Sequence, residues 1–94
     1  MASGDPEDII ETTLVNKAEM GGWLVRKLQW GPRGRRSAFD RIFVKAGRVV
    51  FMEVKAPGKE PEPLQAREHK RFREAGAEVH VIDNVRAGLK VLGL

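Results

Sequence analysis

The chain has 94 residues, 41% of them hydrophobic, which is enough for one modest core without a disulfide or structural metal to hold it. It contains no cysteine, which excludes a disulfide framework and any thiolate metal centre. No apolar run approaches the ~20 residues of a membrane span, and Met1 to Asp8 lacks the pattern of a signal peptide, so a single cytoplasmic domain over 1–94 is expected.

Asp5-Pro6-Glu7-Asp8 reads as a helix start, with Asp5 as N-cap, Pro6 in the first helical position and acids in the first turn. Ile10, Leu14, Lys17 and Ala18 follow helical spacing, and Gly21-Gly22 ends the helix. Trp23 to Gln29 reads as a first strand, followed by a basic loop, Gly31-Pro32-Arg33-Gly34-Arg35-Arg36. Two apolar strands come next, joined by a tight turn at Ala46-Gly47. Pro57 to Pro63 is an extended loop leading to a second helix over about Leu64 to Ala75. Val79 to Ile82 is a fourth strand, and Asp83 or Asn84 caps a last helix through Leu92. The expected order is αβββαβα, with a mixed four-stranded sheet flanked by helices. Trp23 and Trp30 are expected in packing rather than in base stacking.

From Arg26 to Arg48 there are eight bases and one acid, Asp40, so that stretch carries +7 while the whole chain carries +4. Arginine dominates, and its planar fork suits phosphate, so a polyanion is the expected partner. Arg33, Arg35 and Arg36, backed by Arg26 and Arg41, are the candidate contacts to that polyanion, gripping a phosphate backbone without reading sequence.

The chemistry-bearing signal lies in the two central strands. If the turn is centred between Ala46 and Gly47, Lys45 faces Arg48 and Asp40 faces Glu53. Opposed residues have Cβ atoms about 4.5–5.5 Å apart, so two carboxylates there repel unless a cation lies between them. Lys55 follows on the face of Glu53, while Val50, Met52 and Val54 form an apolar opposite face. Buried Glu and Lys are rare unless paired. Asp40 and Glu53 are therefore candidate hard-oxygen ligands for Mg²⁺ or Mn²⁺, with Lys55 beside an attacking water.

Asp40, Glu53-Val54-Lys55-Ala56-Pro57-Gly58, Pro63-Leu64-Gln65 and the closing Ala75 to Asp83, in the order αβββαβ, resemble the PD-(D/E)xK nuclease superfamily. More narrowly, the chain resembles the VRR-NUC domain, in its small stand-alone phage form. The resemblance implies a restriction-endonuclease-like core and a Mg²⁺- or Mn²⁺-dependent endonuclease, a hydrolase leaving a 5′-phosphate. It further implies a homodimer acting on branched DNA such as the four-way Holliday junction, encoded by a phage or prophage in a bacterial host. It adds Glu11 and the backbone carbonyl of Val54 to the metal ligands and Gln65 to the catalytic residues. Glu7, one turn before Glu11 on the same helical face, competes for the first-helix role. The family pattern Gly-x-Pro-Asp is here Ser37-Ala38-Phe39-Asp40. His69 is expected on an exposed helix face and His80 at a sheet face. The rival readings are a non-catalytic DNA-binding module and a subunit completed by a partner.

Overall fold

A computed structural model of the protein describes residues 5–28 and 39–94. Trp30, Arg33, Arg35 and Arg36 lie outside the described residues. The elements are α1 (Pro6–Met20), β1 (Leu24–Lys27), β2 (Arg41–Lys45), β3 (Arg48–Val54), α2 (Pro63–Glu74), β4 (Glu78–Ile82) and α3 (Val85–Val91). This is the expected order, and the strands form one mixed sheet, β1-β2-β3-β4. The first two pairings are antiparallel and the third is parallel, a pairing that needs α2 as its crossover. None of the helices among the described residues is long and apolar enough to cross a membrane.

The local chemistry of each element explains its ends. The Asp5 carboxylate accepts the Glu7 N–H at 2.9 Å, Pro6 occupies the first turn, and Gly22 leaves α1 at φ 91°. Ile10, Leu14 and Ala18 recur every four residues and are buried. Asn84 caps α3 by accepting the Ala87 N–H at 2.8 Å. The two helices meet at Gly88, where a Cβ would stand 2.7 Å from Leu14 Cδ2, so the absent side chain sets their approach.

Alternation along β3 divides the interior in two. Val50, Met52 and Val54 pack with Phe43 and Val25 against α1 and α3. Phe51 faces the other way and packs with Phe39, Phe72 and Val79 beneath α2. β1 begins one residue later than expected because the Trp23 amide is taken by Ala18 O at 3.0 Å, and it ends at Lys27; Gln29 lies outside the described residues.

The hairpin register is as expected, with Lys45 opposite Arg48. Both turn residues have left-handed backbones, Ala46 at φ 51° and Gly47 at φ 83°, which matches the strand twist but strains the alanine. Ala46→Asn is expected to raise the unfolding free energy by about 0.5–1 kcal/mol, as read from urea melts, because asparagine tolerates this conformation. An unchanged or lower midpoint would contradict the turn assignment.

Candidate active site

The site forms where the β2–β3 ladder ends. The last pair is Arg41 opposite Met52, and the next amide, that of Asp40, donates to Met52 O at 3.0 Å instead of turning toward β1, although the Asp40 carbonyl still accepts the Leu28 N–H at 3.1 Å. Two consecutive residues thus answer to one, the signature of a β-bulge. Side-chain direction agrees. Strict alternation from Phe43 through Arg41 would put Phe39 on the α1 face, yet Phe39 packs on Phe51, 5.1 Å away, beneath α2. Asp40 is therefore not simply opposite Glu53 in the ladder, as the plain hairpin register predicts. Its carboxylate instead replaces a backbone acceptor, Oδ2 taking the Val54 N–H at 2.7 Å. The Lys55 N–H points to Ile82 O on β4, so the Val54 peptide groups turn the other way, toward Asp40.

Glu53 is 2% exposed and Lys55 8%, and they are joined at 3.0 Å between Oε2 and Nζ. Gln65 closes the group from the first turn of α2. Its Oε1 accepts from Lys55 Nζ at 3.0 Å, and its Nε2 donates to Glu53 Oε2 at 3.1 Å. The same Oε1 accepts the Glu62 N–H at 3.1 Å as part of the α2 capping box, so the cap that starts the helix also aims its glutamine. Glu62 was not singled out by sequence; its position three residues before Gln65 is the signal.

The two carboxyls are held above the ordinary carboxylate range. Burial is the main cause for Glu53, followed by the charge of Asp40, and together they push it to about 7 against the pull of Lys55. Burial also raises Asp40, opposed by the Val54 N–H and reinforced by Glu11 and Glu7. The sign of the linkage follows. Between about 4.5, the ordinary value, and about 7 the folded protein holds the Glu53 proton that the unfolded chain has lost. In chelator, folding stability is expected to fall by about 3 kcal/mol as pH rises through that window, and Glu53→Gln to remove most of the drop. Urea melts at pH 5 and 8 check this; stability that rises with pH in that range would contradict it.

Among the described residues, Glu53 Oε1 is buried with no hydrogen-bond partner. A buried anionic oxygen left unpaired beside a second carboxyl is the donor set a hard divalent cation satisfies. Among the described residues, no three acidic or histidine side chains converge closely enough to hold an ion as they stand. On the α1 side, Glu11 Oε2 accepts from Arg41 Nε at 2.6 Å. Arg41 thus lies on the α1 face, whereas Arg26 lies on the α2 face, exposed and donating to Val25 O at 2.8 Å.

The chain is similar over 79 residues to "Putative nuclease p44" of Acyrthosiphon pisum secondary endosymbiont phage 1, with 39% identity across 83% of each protein. A solved structure described as a VRR_NUC domain superposes with a TM-score of 0.83 and 34% identity, covering 96% of this chain and 97% of that one. No family model matches. The chain belongs to the VRR-NUC family of nucleases.

Within this VRR-NUC fold, Phe39 stands where the family pattern has proline and has become a packing residue. It stacks on His69 at 5.0 Å between centroids and meets Phe72 edge-on at 4.8 Å. His69 is 1% exposed, correcting the expectation of a solvent-facing histidine. The signal was present in the helical spacing, since His69 lies four residues after Gln65 and three before Phe72 on one face of α2. His80 is part-exposed and contacts Glu78 at 2.8 Å, near the hairpin end of the sheet. Trp23 is buried, with the Arg48 guanidinium 5.7 Å over its ring.

Proposed function

We propose that this nuclease is a Mg²⁺- or Mn²⁺-dependent DNA endonuclease that acts on branched DNA, with the four-way junction as preferred substrate, as a homodimer. The observation that carries the metal-dependent reading is the unpaired Oε1 of Glu53, buried beside Asp40 at the end of β3. Asp40, Glu53 and the Val54 carbonyl would hold the ion, with Glu11 as the third carboxylate. A bound divalent ion supplies Lewis acidity, polarising the scissile phosphate and lowering the pKa of water beside it.

The chain's own groups do the positioning. Lys55 spends two of its three N–H donors on Glu53 and Gln65, which leaves one for the attacking water or a non-bridging phosphate oxygen. Gln65 locks that geometry from α2, whose N-terminus adds a positive dipole end on the phosphate side. Water adds to phosphorus and the bond to the 3′ oxygen breaks, leaving a 5′-phosphate and a 3′-hydroxyl. The proton lost by the water is balanced by the one the departing oxygen gains. Arg26, Arg33, Arg35 and Arg36 contact the DNA backbone, as does Arg41 once it is free of Glu11. The dimer reading is supported by an apolar row across the sheet, Leu24, Val44 and Val49, aligned by register. Leu24 is 50% exposed and Val49 41%.

The test is incubation with a synthetic four-way junction and a linear duplex in Mg²⁺ or Mn²⁺, alongside light scattering of the free protein. Paired nicks on opposite junction strands from a dimer are expected. Junction binding without cleavage in either metal would assign a DNA-binding module instead. Equal cutting of duplex and junction, or a monomer, would remove the junction and dimer readings and leave the nuclease.

A further inference from the structure

Arg41 follows the proposed ligand Asp40 in the chain, and the bulge at these two residues separates their tasks. The Asp40 carboxylate turns to Val54, whereas the Arg41 guanidinium reaches α1, thirty residues away in sequence, and closes on Glu11. The ion pair is partly desolvated, with side chains 23% and 16% exposed, so solvent screens it less than a surface pair. Glu11 is close enough for its charge to act on Asp40. Glu11, the first-helix carboxylate that the family resemblance places in the ligand set, is thus held by a guanidinium, and among the described residues no three-acid group is assembled. While Arg41 holds Oε2, the Glu11 carboxylate is fixed in this orientation and its charge is largely neutralised, so it is a poorer ligand for a divalent cation.

We propose that Arg41 is a positioning residue that holds Glu11 out of the metal site, so that the full ligand set assembles only when Arg41 is drawn off Glu11. A DNA phosphate is the group that draws it, since a guanidinium held here by a single Nε–Oε2 bond can take a phosphate with two parallel N–H donors. Substrate binding then delivers the third carboxylate, and ion and phosphate reinforce each other through one exchanged ion pair. This rests on the metal-dependent reading above.

The test is Mn²⁺ titration of the DNA-free protein, followed by electron paramagnetic resonance of free Mn²⁺ or by calorimetry. The set is wild type, Arg41→Gln, Glu11→Gln and the double variant, with thermal melts to verify folding and Arg41→Lys as a charge-retaining comparison. Arg41→Gln is expected to tighten Mn²⁺ binding by about fivefold or more, and the same substitution to have no effect in the Glu11→Gln background. Arg41→Lys is expected to stay near wild type. A gain of equal size without Glu11 would show simple through-space repulsion and overturn the proposal, as would unchanged or weaker binding in Arg41→Gln. If wild type binds Mn²⁺ and Arg41→Gln binds it equally, this inference alone fails. If no variant binds Mn²⁺, the metal reading fails with it.

Discussion

Glu53→Gln is expected to lower the cleavage rate by about 10³-fold or more while leaving the melting temperature unchanged or higher. The two effects have opposite signs for one physical reason. Glu53 is almost wholly buried, its Oε1 is unpaired, and its carboxyl is pushed to about 7, so its charge destabilises the metal-free fold. An amide of the same shape carries no such penalty, yet it cannot supply an anionic oxygen to a divalent cation. Asp40→Asn is expected to share the loss of cleavage. Its stability should change little, because an amide oxygen still accepts the Val54 N–H. Cleavage retained within tenfold in either variant, measured on the same substrate at saturating Mg²⁺, would mean that the reaction runs elsewhere.

Lys55→Met carries the second large effect. The amine contacts both Glu53 Oε2 and Gln65 Oε1 at 3.0 Å, so it is held rather than mobile. Its removal should lower turnover by about 10²–10⁴, the range of a lost general acid–base or electrostatic group. Binding responds differently. Lys55 pulls the Glu53 carboxyl down, so without it that carboxyl holds its proton to higher pH, and metal affinity near pH 7 weakens and recovers as pH rises. Turnover should not recover with it. A variant that regains full activity at pH 9 would show that Lys55 acts only by keeping Glu53 ionised.

Much of the fold is legible in the residues because each signal is local. Asp5-Pro6 starts α1, Ala46-Gly47 sets the hairpin, and the alternation of Val50, Met52 and Val54 with Phe51, Glu53 and Lys55 assigns the two faces of β3. Glu53 and Lys55 share a face by that alternation, whereas Gln65, a surface helix residue by spacing alone, joins them in the sequence only through the family resemblance. What resisted the sequence is long-range or depends on backbone hydrogen bonding. The bulge at Asp40 and Arg41 changes which face Phe39 meets, and no residue type announces it. The pairing of Arg41 with Glu11 joins residues thirty apart, so a basic residue expected at DNA is found on an acid of α1. His69 is polar by type and buried by context, because Phe39 supplies a ring for it to stack on.

The most direct measurement is anomalous diffraction from crystals soaked in Mn²⁺. One peak is expected within about 2 Å of Glu53 Oε1 and of an Asp40 oxygen, absent in Glu53→Gln crystals. A peak only at other acids, or none at concentrations that support cleavage, would contradict a metal-dependent site at the end of β3.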